Sequence, residues 1–230
     1  MSTDDLAGFS DLPVPAAPPI GTELEGLLGA IAPVAPRRPL RQLAILVGCS
    51  LVYGAGVLGV VTVRRDVAEL PWSWIVGVGL AWCVGFVGAA YLATVPARGQ
   101  IIPRWRAGAL AAAVLAIGFM AFMLLADIPS GPHSLQFGWP RFFQGHPCLE
   151  IGLASALVPV IAGAIFLRGA LPVGARWTAA ALGASGGCLG GFVLHLHCPV
   201  TDHQHLGLIH GSVVIVAAAL AAAIVPGRAR

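Results

Sequence analysis

Residues 42–63 read QLAILVGCSLVYGAGVLGVVTV, a run with no Asp, Glu, Lys or Arg. A bilayer core about 30 Å thick is crossed by about 20 apolar residues of α-helix, so this stretch alone is long enough to span a membrane. Working outward, five more segments have the same character, at roughly 73–95, 105–126, 148–167, 176–196 and 207–225. The whole chain of 230 residues is 57% hydrophobic and 10% charged, with a mean hydropathy of +0.86. Soluble domains carry about a quarter charged residues. This chain cannot cover a water-facing surface, and lipid has to be its solvent. The fold expected is all-α, a six-helix transmembrane bundle over residues 42–226. A short, largely disordered tail, residues 1–41, precedes it and contains one amphipathic helix. The net charge of +3 is too small to suggest a nucleic-acid partner.

Arginine placement sets the expected orientation, because loops on the cytoplasmic side carry the excess of basic residues. With the N-terminus inside, Arg37, Arg38, Arg41, Arg98, Arg104, Arg106, Arg168, Arg176, Arg228 and Arg230 fall on the inner face. Arg64, Arg65 and Arg141 fall on the outer one. Both termini are therefore expected in the cytoplasm of an inner-membrane protein, with the 127–147 and 197–206 loops in the periplasm. The first 36 residues hold Asp4, Asp5, Asp11, Glu23 and Glu25 and lack the apolar core of a signal peptide. The first span is expected to act as the insertion signal.

In the tail, residues 1–21 are rich in Pro, Ala and Asp and read as disordered. Thr22 followed by Glu25 makes a capping box. Leu24, Leu27, Leu28 and Ile31 then fall at helical spacing on one face. Pro33 and Pro36 end the pattern, so a helix is predicted over about 22–32. A helix this short is marginal alone. Two readings stand: a surface helix lying on the bilayer, or a recognition helix for a soluble partner.

Polar chemistry gathers at the outer ends of the spans. Cys148 opens the fourth segment between His146 and Glu150. Cys198 follows the fifth, with His195 and His197 before it and Asp202, His203, His205 and His210 after it. Thiolate, imidazole and carboxylate together are ligands for a soft or borderline cation such as Zn²⁺, Cu⁺ or Cd²⁺, so no cofactor is expected beyond transient binding of a thiophilic metal ion. Hydrogen bonding to loop backbone is the plain alternative. A haem held by two histidines would want them on facing helices, which this pattern does not offer. Glu150 lies just inside a span, where an ionisable residue is costly. Cys148 and Cys198 form a disulfide if their Cα atoms approach within roughly 7 Å. Cys49, Cys83 and Cys188 lie inside apolar stretches and read as small hydrophobes. Gly183, Gly187 and Gly191, at four-residue spacing, let two helices approach closely, either within the bundle or across a homodimer. Pro159 interrupts the fourth segment and is expected to kink it, as a hinge or as plain structure.

The order of these elements resembles a known family. Cys148-Leu149-Glu150 opens the fourth segment, Pro159 interrupts it and Phe166-Leu167-Arg168-Gly169-Ala170-Leu171-Pro172 closes it. The glycine-rich fifth segment then ends in His197-Cys198-Pro199. The stretch from Leu27 to Pro39, with Arg37 and Arg38, is similar to that family's lead-in to its first span. Over roughly residues 22–225 the chain resembles the NrsF-type family (negative regulator of sigma F), six-helix inner-membrane anti-sigma factors of bacteria. The resemblance implies that the tail binds an extracytoplasmic-function sigma factor; joined to the helical-face reading above, it makes Leu24, Leu27, Leu28 and Ile31 the expected contacts. It also implies that Cys148 and Cys198 take part in sensing a thiol-reactive metal or oxidative stress. The run Asp202-His203-Gln204-His205 is richer in His than the family's pattern. The competing reading from the residues is a small metal-handling membrane protein or transporter using the outer Cys/His cluster. Apart from Glu150, however, the spans hold almost no polar residues near mid-membrane, and Ser50, Ser155, Ser185 and Ser212 are neutral, fewer than a transport path wants. An integral-membrane oxidoreductase would lack both a C-x-x-C pair and a cofactor motif. No P-loop, G-x-S-x-G, H-E-x-x-H or dinucleotide fingerprint occurs, and no enzymatic activity is expected.

Overall fold

A computed structural model describes residues 38–95, 104–136, 146–167 and 175–228, together with Gly26 and Gly29. The chain divides into two units, Met1–Arg37 and Arg38–Arg230. Of the first, only the two glycines are described. Both are helical and fall within the helix predicted at 22–32. Leu24, Leu27, Leu28 and Ile31 lie outside the described residues.

Among its described residues the second unit contains six long helices: α1 (Pro39–Val61), α2 (Trp72–Thr94), α3 (Arg104–Leu125), α4 (His146–Leu167), α5 (Ala175–His197) and α6 (Gly211–Arg228). A π-helical turn, His205–His210, leads directly into α6. With that turn counted into the last helix, all six are long and apolar enough to cross a membrane. Helix is what the solvent dictates, since in hydrocarbon every backbone N–H and C=O needs a partner within the segment. Pro39 sits in the first turn of α1, where its missing N–H would have had no partner anyway. Among the described residues the only strand-like pairing is a single bridge between Leu135 and Val200.

The bundle is arranged around α5, which packs against each of the other five helices. Of its membrane-length stretch 89% is buried, against 17% for α1. The physical reason is small side chains. A Cβ on Gly187 would lie 2.5 Å from Val214 Cα, and one on Gly186 would lie 2.8 Å from the Ala156 carbonyl oxygen. Gly183 likewise faces the Ala217–Ala218 backbone, Gly190 faces Gly152, and Gly191 lies against the Trp82 ring. Gly183 and Gly187 thus seat α6, Gly186 and Gly190 seat α4, and Gly191 makes room for the Trp82 ring of α2. The close approach expected of the glycine row is made inside the bundle by Gly183 and Gly187, while Gly191 meets a side chain. Without a hydrophobic force to separate protein from lipid, van der Waals packing of this kind, with a few interhelical hydrogen bonds, holds spans together. Trp82 stacks on Phe119 with centroids 3.9 Å apart, and Ser185 Oγ donates to the Phe86 carbonyl at 2.8 Å. Large apolar side chains such as Val60, Leu80, Val84, Leu110 and Ile165 point outward. α4 stays helical through Pro159, which is buried; the proline lacks the N–H that would otherwise bond the Ser155 carbonyl.

The segments after α1, α3 and α5 meet at one face and cover it. The Arg64 N–H donates to the Leu196 carbonyl at 2.9 Å, Leu135 N–H to Pro199 at 2.9 Å and Thr201 N–H to Leu135 at 2.9 Å. Arg64 and Asp66 form a bidentate pair with both contacts at 2.6 Å, their side chains 3% and 0% exposed. Ser134 Oγ donates to Asp66 Oδ2 at 2.7 Å, and His133 pairs with Glu69. The hydrogen bond from Arg64, reinforced by Ser134, holds Asp66 below the usual carboxylate range against the opposing effect of burial. Thr62 ends α1 at φ 68° and ψ 154°, a conformation strained for any residue but glycine. Its carbonyl accepts a 2.8 Å hydrogen bond from His197 Nδ1, which ties the strained corner to the end of α5.

Candidate functional site

Directly under this cover four potential metal ligands converge. Cys148 stands in the first turn of α4. Cys198 is the first residue beyond α5, and its N–H still bonds the Leu194 carbonyl at 2.8 Å. The chain then turns at Asp202, whose Oδ1 accepts the His205 N–H at 2.8 Å, and enters the π-helical turn. In an α-helix, residues five apart point roughly 140° away from one another, given 3.6 residues per turn. The i→i+5 pairing of a π-turn brings them onto one side instead. His205 and His210, five apart, therefore face each other edge-on with ring centroids 5.1 Å apart. The far side of the turn is seated on α3 through glycines: a Cβ on Gly207 would run into Leu124, and one on Gly211 into Met120.

The Sγ atoms of Cys148 and Cys198 are 3.5 Å apart, and Cys198 Sγ is 3.4 Å from His205 Nε2. One ligand atom from each of Cys148, Cys198, His205 and His210 lies within 4.8 Å of the others. Cys198, His205 and His210 are each 1% exposed; Cys148 is half-buried. The His210 ring has Cys148 as its polar neighbour, while its buried Nε2 makes no hydrogen bond of ordinary geometry among the described residues. The hydrogen bond with Cys148, together with burial, pushes the Cys198 thiol well above its usual pKa. Two thiols and two imidazoles so placed can ligate a borderline cation, and the two sulfurs can be oxidised to a disulfide.

The remaining candidates from the sequence lie elsewhere. Glu150 is 76% exposed and faces His146, one helical turn away, at 3.7 Å. Two residues from Cys148, each is on the opposite side of α4. His195 Nε2 donates to the Ile75 carbonyl at 3.0 Å and His197 to Thr62, so both join helices and loops together. Asp202 caps the turn, and His203 is exposed beside Trp74 and Asp127. Cys188 is in the core, and Cys49 and Cys83 lie on other parts of the bundle. Sequence reasoning uses Arg64 only to orient the chain and misses its pairing with Asp66. The Arg-x-Asp spacing in a short loop is the available signal. The π-turn has none, because His-x₄-His matches no helical face.

A family model described as NrsF, negative regulator of sigma F, matches residues 27–230. No curated protein and no solved structure matches the chain.

Proposed function

The chain belongs to the NrsF family, negative regulators of sigma F, and from that premise we propose that it holds an extracytoplasmic-function sigma factor at the bacterial inner membrane and releases it when the Cys148–Cys198 pair receives a metal or an oxidant. The observation that carries the sensing half is the 3.5 Å approach of two sulfurs supplied by different helix ends and covered by the loop face. Oxidation would remove two electrons and two protons to the oxidant and form one S–S bond. The sulfurs would then close to about 2.05 Å, drawing the first turn of α4 toward the end of α5. A cation would instead displace the thiol protons and hold the same two ends at a fixed distance. Either event acts on the α4–α5 seam, where Gly152 and Ala156 meet Gly190 and Gly186 backbone to backbone. A tightly packed seam transmits such a shift when two discrete packings differ in affinity for the ligand.

The sensing face is the one bearing few arginines, and α1 begins at the opposite, arginine-rich face. The positive-inside rule supports a cytoplasmic tail, on the side where a sigma factor is. In this reading Leu24, Leu27, Leu28 and Ile31 enter an apolar groove of that partner. Each contributes about 1.5–3 kcal/mol before ordering costs.

A sigma-dependent reporter, with the two genes co-expressed, tests both halves. Leu27→Asp with Ile31→Asp should release the sigma factor constitutively and abolish its co-purification. Cys148→Ser and Cys198→Ser should each leave the reporter silent under metal or oxidant. Retained co-purification would remove the helix from the mechanism, and a normal response from both serine variants would remove the thiols.

A further inference from the structure

The two histidines of the π-turn carry the structure beyond a thiol pair. We propose that Cys148, Cys198, His205 and His210 form a four-ligand site for a tetrahedral divalent cation of the Zn²⁺ class, and that the π-helical turn exists to supply its fourth ligand. The inference rests on the reading of Cys148 and Cys198 as the receiving pair and names the ligand that pair takes.

Three independent features agree. The first is spacing. Zinc bonds of about 2.3 Å to sulfur and 2.0–2.1 Å to nitrogen, set at tetrahedral angles, separate neighbouring ligand atoms by roughly 3.3–3.8 Å. The separations are 3.5 Å for Sγ–Sγ and 3.4 Å for Sγ–Nε2, and all four atoms fall within 4.8 Å. The sulfurs sit near the edge length of a coordination tetrahedron and about 1.5 Å beyond a disulfide bond.

The second feature is charge. Two thiolates with two neutral imidazoles carry −2, which a divalent cation cancels and a monovalent one does not. An uncancelled charge is costly where three of the four ligands are 1% exposed. The nearby Arg64 is already neutralised by Asp66 and is not needed for that balance. On binding, the two thiol protons pass to solvent, and no electron changes hands.

The third feature is backbone. Only with the π-turn do His205 and His210 share a side, and Asp202 and the two glycines against α3 hold the turn there. The His210 ring has Cys148 as its polar neighbour, and its buried Nε2 makes no hydrogen bond of ordinary geometry among the described residues. Cys148, the half-buried member, is the side from which solvent and ions reach the cluster.

The test uses the full-length chain, purified in detergent, reduced and stripped with chelator, then titrated with Co²⁺ and Zn²⁺ in turn. Cobalt should bind one per chain. It should show the intense visible bands of tetrahedral cobalt and a near-ultraviolet sulfur-to-metal transition, and one equivalent of zinc should erase both. His205→Ala and His210→Ala should each weaken zinc at least as much as loss of a group that merely hydrogen-bonds a ligand does, about 10–100-fold. Cys148→Ser, at the rim of the cluster, should halve the sulfur transition without touching the turn. His203→Ala, exposed and outside the cluster, should bind as the parent does. Undiminished zinc affinity in both histidine variants, or an octahedral cobalt spectrum, would overturn the site. If those variants still release the sigma factor normally while the serine variants do not, the four-ligand site falls and the thiol-pair reading survives. Tetrahedral binding without any reporter response leaves the site standing and removes its proposed signalling role.

Discussion

Replacing Asp66 with Ala should be among the most damaging single changes in the loop cover. The Arg64 guanidinium makes two 2.6 Å contacts to this carboxylate and has a side chain only 3% exposed. Removing the partner leaves a cation buried without compensation, which typically costs about 3–5 kcal/mol. That is roughly a hundredfold to a few thousandfold in the folded-to-unfolded ratio. Removing both charges, as Arg64→Met with Asp66→Leu, should cost much less, because burying a charge pair roughly offsets its attraction. Equilibrium unfolding of the purified chain in mixed micelles, followed by circular dichroism, measures both variants. The pH dependence gives a second reading of the same pair. Asp66 is held below its ordinary value of 3.8, so its stabilisation is complete above the unfolded carboxyl value of about 3.9. It is then lost as pH falls through the lower, folded value. Below about pH 4 the wild type should lose stability faster than the double variant. A single variant no worse than the double one, or identical acid profiles, would refute the view that a buried ion pair pins the loops over the cluster.

Two further outcomes follow from packing and orientation. Gly187→Ala pushes a Cβ to within 2.5 Å of Val214 Cα and should cost about 1–3 kcal/mol by overpacking. Gly77→Ala, which meets nothing within 4 Å, should be neutral or stabilise by up to about 1 kcal/mol through helix propensity; the same micelle unfolding assay compares them. An exposed cysteine introduced as Ala68→Cys, between α1 and α2, should react with a membrane-impermeant maleimide on intact cells. Ala97→Cys, between α2 and α3, should react only after permeabilisation, and the reverse pattern would invert the proposed topology.

The membrane bundle is legible in the amino-acid sequence because it follows from one-dimensional properties. Six apolar runs of bilayer length need no partner to be recognised, since lipid rather than a distant part of the chain is their solvent. The arginine asymmetry is equally local. Cys148 and Cys198 also stand out in sequence, as thiols at the water-facing ends of apolar spans. Which neighbours join them does not. Glu150 and His146 are nearest to Cys148 along the chain, yet the helix turns both away, while His210, twelve residues from Cys198, arrives through a π-turn. The rotation of α4, the glycine seams that set how closely α5 meets α4 and α6, and the extra residue in that turn are properties of packed helices. Only the tertiary structure decides them, because membership of the cluster depends on which side of each helix faces inward.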